Sequence, residues 1–143
     1  MSRMALGNMI IGFWWIFLAS CGGFFLAEYR HQAFLAATPE RLLQWWMVLQ
    51  KSAHAHTNLF GMLHILMALT FPYSLVASSV KVGQSVGLFL GSLSMSVLLV
   101  VRSYGVPESV FHPLSVLIAM GLSCSLIAIV VHIVGLSLKW YRI

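Results

Sequence analysis

Acidic residues are nearly missing from this 143-residue chain: Glu28, Glu40 and Glu108 are the only three, against eight Lys and Arg. None falls in the middle of an apolar segment, which argues against an ion-coupled transporter or a pump relaying protons through carboxylates. Charged residues make up 8% of the chain, where soluble domains carry about a quarter, so a soluble globular fold is excluded. The basic residues sit singly at segment ends and never form a run, which excludes a nucleic-acid interface. Two cysteines, Cys21 and Cys124, lie inside apolar segments, where they act as small apolar side chains and form no disulfide framework. No nucleophile–base–acid arrangement and no phosphate-binding glycine loop is present, so the chain is not expected to be an enzyme acting alone.

What remains is hydrophobic. Apolar residues account for 60% of the sequence and the mean hydropathy is +0.93, values of an integral membrane protein. Four apolar stretches approach the roughly 20 residues that a bilayer core requires: Met9–Tyr29, His56–Ala77, Gly83–Val101 and Pro113–Leu138. The expected fold is all-α: a single domain over residues 1–143, an antiparallel bundle of four transmembrane helices with the bilayer as its first partner. Leu18-Ala19-Ser20-Cys21 has the small-residue pattern of a lipoprotein cleavage site, but apolar character continues through Ala27, so the first stretch reads as an uncleaved helix.

Local signals refine this outline. Thr38-Pro39-Glu40 supplies an N-cap, a proline at the first helical position and an acidic first turn. An amphipathic interfacial extension carrying Trp45 and Trp46 is therefore expected to run from Pro39 into the second span. Pro72 should kink or end that span. Gly83, Gly87 and Gly91 recur every four residues and mark a face for close helix approach, either within the bundle or toward a larger membrane complex or a second copy.

If the spans alternate in direction, His31, His54, His56 and His112 share one membrane face with Arg102, Tyr104 and Glu108, while both termini and Lys81 share the other. Lys and Arg divide evenly between the faces, but the acids all lie with the histidines. That asymmetry places the termini in the cytoplasm, with a bacterial inner membrane as the expected location.

Histidine is the commonest metal ligand and is costly against lipid, so intramembrane histidines are functional candidates. His54 and His56 are separated by about 200° on a helix and cannot both face one tight interior. His56, Phe60 and His64 share a broad side, with His64 about 12 Å deeper. His132 lies about 28 Å along the last span from Pro113, too far to share a metal with His112. Haem b held by His54, His56, His112 or His64 is one expectation, with Phe, Met and Gly lining it. A copper or zinc site formed by His31, His54, His56 and His112 is another. Trp14-Trp15 and Trp45-Trp46 are chiefly packing and interface residues that can also border a quinone or a haem edge. Arg102 and Tyr104 read first as solvated loop residues.

The segment His54-Ala55-His56-Thr57-Asn58-Leu59-Phe60-Gly61 resembles the His-x-His-x-x-x-Phe-Gly stretch that opens a transmembrane helix in the haem-containing NnrS membrane proteins. It is more distantly similar to histidine-bearing helices of haem-copper oxidase catalytic subunits. The likeness covers Lys51 to Tyr73, and it implies that His54 and His56 are haem or metal ligands. Three functions follow as expectations: a haem b subunit passing electrons in a respiratory or other membrane redox complex, a non-haem copper or zinc protein, or a cofactor-free accessory subunit.

Overall fold

A computed structural model describes residues 2–36, 44–105 and 112–142, apart from the side chains of residues 33–35. The described residues are helical apart from short connections. α1 runs Arg3–Leu35, α2 Trp45–Thr70, α3 Ser78–Ser103 and α4 Pro113–Trp140. α1, α3 and α4 are long and apolar enough to cross a membrane. α2, with 26 residues, is about 39 Å long, but its histidines and Asn58 leave it less apolar than the other three.

Pairwise contacts show that the four helices alternate in direction. Asn8 near the start of α1 meets His64 toward the end of α2, while Tyr29 stacks edge-on against Trp46, ring centroids 4.7 Å apart. At the α2–α3 turn, Lys81 donates from Nζ to the Phe71 carbonyl at 2.7 Å. At the other end of the same pair, the Arg102 guanidinium lies 5.1 Å from the Trp45 ring centre. α4 returns alongside α3, and the Leu75 amide ties the α2–α3 connection to the Gly135 carbonyl at 3.1 Å. α2 packs against both α1 and α3, and the core gathers around it from Ala53, Phe60, Met67 and Phe71 together with Leu88, Met95 and Leu99 of α3.

Several sequence expectations change here. The second stretch ends at Thr70 and does not reach Ala77, because Pro72 offers no amide to continue the helix. Gln44 is extended, with φ −63° and ψ 143°, so α2 begins at Trp45 and no single helix runs into it from Pro39; residues 37–43, including Pro39 and Glu40, lie outside the described residues. α1 reaches well past Tyr29. α3 widens into a π turn at Ser94–Leu98 that the apolar pattern does not announce.

Glycine sets the closest approaches. A Cβ on Gly12 would stand 2.6 Å from the Gly61 carbonyl oxygen, and one on Gly61 would stand 2.9 Å from that of Gly12. α1 and α2 therefore cross backbone to backbone. A Cβ on Gly87 would lie 2.9 Å from the Cys124 carbonyl oxygen, and Gly91 and Gly121 take Ser125 and Ser94 of the opposing helix into the space they leave. Gly87 and Gly91 thus serve α3–α4 packing inside the chain. Of the three glycines only Gly83 has nothing within 4 Å of an added Cβ.

Candidate functional site

His54 and His56 leave α2 in opposite directions, as their angular separation predicts. The His54 ring packs against Gly23 of α1, where a Cβ would come within 2.7 Å of Cε1. Its Nδ1 lies 3.0 Å from the Ala19 carbonyl oxygen. A carbonyl can only accept, so Nδ1 carries the proton and the neutral ring keeps a bare lone pair on Nε2. That nitrogen makes no hydrogen bond among the described residues, and it is not among the buried polar atoms that lack a partner. His56 folds back on its own helix, with Nδ1 donating to the Ser52 carbonyl at 2.7 Å.

His54 looks into a cavity of about 1050 Å³ between α1, the first half of α2 and the last third of α3. The volume lies at the upper end of the range for small-molecule sites. Trp15, Phe25, Tyr29, Trp45 and Trp46 supply aromatic wall, Leu18, Leu26, Val97 and Val100 aliphatic wall. From Trp45 to Thr57 the cavity follows α2 for about 18 Å. Thr57 and Ser103 also border it, but their hydroxyls donate to the Ala53 and Val100 carbonyls, and the Ser96 hydroxyl is sealed from the surface. His54, with Nε2 in no hydrogen bond among the described residues, therefore borders a mainly apolar space in which Gln50, Tyr29 and Tyr104 are further polar side chains.

The cavity exists because α1 and α3 separate. They are joined near the termini end, where Asn8 Nδ2 donates to Ser85 Oγ at 2.8 Å. Among the described residues α1 makes no comparable contact with the π turn or with the final turn of α3. Leu18 and Phe25 on one wall and Val97 and Val101 on the other are exposed, so the cavity opens sideways between these two helices. No residue of α4 lines it.

The remaining histidines have other tasks. His64 is fully buried, and its Nδ1 donates to Asn8 Oδ1 at 2.8 Å. Asn8, with Ser85 on its amide, thus bolts α1, α2 and α3 together. His112 caps α4, its Nδ1 accepting from the Leu114 amide at 3.2 Å with Pro113 at the first helical position. His132 donates from Nε2 to Thr70 Oγ1 at 2.7 Å and stacks edge-on against Phe71; the Thr70 hydroxyl spends its own proton on the Leu66 carbonyl. His31 is exposed on the last turns of α1.

The expected metal set is accordingly not assembled. Among the described residues no group of three or more His, Cys, Asp or Glu side chains is placed to hold a metal ion, so His31, His54, His56 and His112 form no copper or zinc centre. Among the described residues His54 is the one histidine that lines the cavity. Arg102 is buried against Trp45, with Nε 3.4 Å from Ser115 Oγ, and is not the solvated loop residue its position suggests. Glu108 lies outside the described residues. Asn8 carries no motif and stands just before the first apolar stretch, so no sequence signal marks it. No protein-family model, curated protein or solved structure matches this chain.

Proposed function

We propose that this protein is an integral membrane subunit, with all four helices crossing the bilayer, that binds a lipid-soluble redox molecule beside His54 and serves electron transfer in a larger membrane redox complex. One observation carries the reading: a bare imidazole nitrogen faces an aromatic-walled cavity that opens sideways, between helices apolar enough for lipid. The fourth crossing is argued from the polar side chains of α2. His54 bonds to Ala19, His64 to Asn8, and His56, Thr57, Asn58 and Thr70 to carbonyls of their own helix. Polar groups so paired are sheltered from lipid. A bacterial inner membrane with cytoplasmic termini remains the assignment that charge placement favours.

Haem b on His54 alone is the second reading, favoured by the same geometry, because a metal-bound histidine ordinarily donates its other nitrogen to a carbonyl or carboxylate. His54 would hold such a haem, which would supply one-electron chemistry. The discriminating experiment combines a reduced-minus-oxidised visible spectrum of detergent-purified protein with solvent extraction of whatever it carries. Wild type and His56→Ala should retain a stoichiometric redox molecule and His54→Ala should lose it. A haem spectrum that vanishes with His54 selects the second reading. Absence of any bound redox molecule in freshly purified wild type refutes both and leaves a cofactor-free accessory subunit.

A further inference from the structure

We infer that the α1–α2–α3 cavity is a site for a hydroquinone, the reduced form of a lipid quinone, whose ring hydroxyl donates a hydrogen bond to His54 Nε2. The inference rests on the redox-subunit reading and narrows it to one ligand class and one oxidation state.

Three features select the class. The lateral opening between α1 and α3, walled by exposed Leu18, Phe25, Val97 and Val101, admits a molecule that arrives through the hydrocarbon phase. A long alkyl or isoprenoid tail can stay among those side chains while the ring enters. Inside, Trp15, Trp45 and Tyr29 offer flat surfaces for an aromatic ring, which prefers edge-to-face or offset contact with them. The lining then offers His54 Nε2 at one point and the Gln50 amide and Tyr29 hydroxyl elsewhere, which suits a ring carrying one oxygen function at each end.

The oxidation state follows from the tautomer. Ala19 holds the proton on Nδ1, so the neutral ring offers Nε2 only as an acceptor. A hydroquinone hydroxyl donates to it. A quinone carbonyl has no proton to give, so an oxygen placed against Nε2 leaves that contact unmade. Once the ligand covers Nε2, that mismatch leaves the acceptor unpaired, which discriminates between ligands of the same shape. The expected preference is at least about tenfold for the reduced form.

The test is calorimetric titration of purified full-length protein in detergent with a decyl-chain benzohydroquinone, kept reduced under argon, and with the corresponding benzoquinone. A pH of 8 keeps ordinary imidazoles neutral. The hydroquinone should bind at least about tenfold more tightly, and His54→Leu should bring the two forms to within about twofold. A second variant guards against misfolding: Gly22 lines the cavity and a Cβ there meets nothing within 4 Å. Gly22→Phe should therefore fold normally, narrow the cavity beside α1 and weaken binding of both forms alike. Equal affinity for the two forms, or a preference that survives His54→Leu, overturns the inference. So does a His54-dependent haem in the purified protein, in which case the redox-subunit reading stands. Failure of either form to bind, with nothing carried through purification, overturns both.

Discussion

Toward α4, α3 presents Gly87 and Gly91, and the opposing helix fills that space with Cys124, Ser125 and Ala128. Toward α1 it presents Val97, Val100 and Val101, and nothing fills the space between them and Phe25. The two sides of one helix are thus finished differently. Small residues bring backbones together where close packing is wanted, while bulky exposed side chains frame an opening where α1 leans away. The same contrast separates two histidines of α2. His64 has its Nδ1 bonded to Asn8 and is sealed; His54 bonds through the corresponding nitrogen yet leaves the other one accessible to the cavity. Close-packed parts should therefore resist substitution, and the cavity side should tolerate it.

The sharpest break of this contrast is on α1 itself. Gly12→Val drives a side chain into the Gly61 carbonyl and should cost about 3 kcal/mol. Gly22→Phe, ten positions on but facing the cavity, should cost less than about 1 kcal/mol. Thermal unfolding in one detergent compares them directly, and similar losses would mean that the cavity is not open. Next in size is Asn8→Leu, which strands the buried His64 Nδ1–H and should cost about 2 kcal/mol. Adding His64→Leu should recover part of that loss, so a double-mutant cycle that is additive would deny the pairing. Thr70→Val removes the acceptor of His132 and should cost about 1 kcal/mol, read from the same melts. Smallest is His54→Ala, expected within about 1 kcal/mol of wild type although it removes the ligand site. A large loss there would make His54 a packing residue.

Much of the helical layout was legible in the amino-acid order. Apolar stretches located the helices, Pro72 marked the end of α2, and the two-residue offset of His54 and His56 forced them apart. Alternation of the helices correctly gathered the His54 end and the Arg102 end of the bundle. What sequence could not supply was long-range pairing. Asn8 and His64 are 56 positions apart, and neither announces the other. The glycine face of α3 was visible as a pattern, but whether α4 or a second protein would cover it depended on which way α3 turned. Arg102 looked like a loop cation because its shelter, Trp45, comes from a different helix. The cavity was least legible of all, since it arises from contacts that α1 and α3 do not make. Histidine density marks the end of the bundle where the cavity lies, but the side chains diverge, and among the described residues they form no group of three or more able to hold a metal ion.

The account turns on the proton of one imidazole, and ¹⁵N NMR of histidine-labelled protein observes it. Comparison with His54→Ala identifies the His54 resonances. At pH 8, Nδ1 should be protonated and Nε2 bare, and added hydroquinone should shift the Nε2 resonance in the direction of hydrogen-bond acceptance while leaving His56 and His64 unchanged. A proton found on Nε2, or a His54 signal indifferent to the ligand, would contradict the assignment of this cavity as the site.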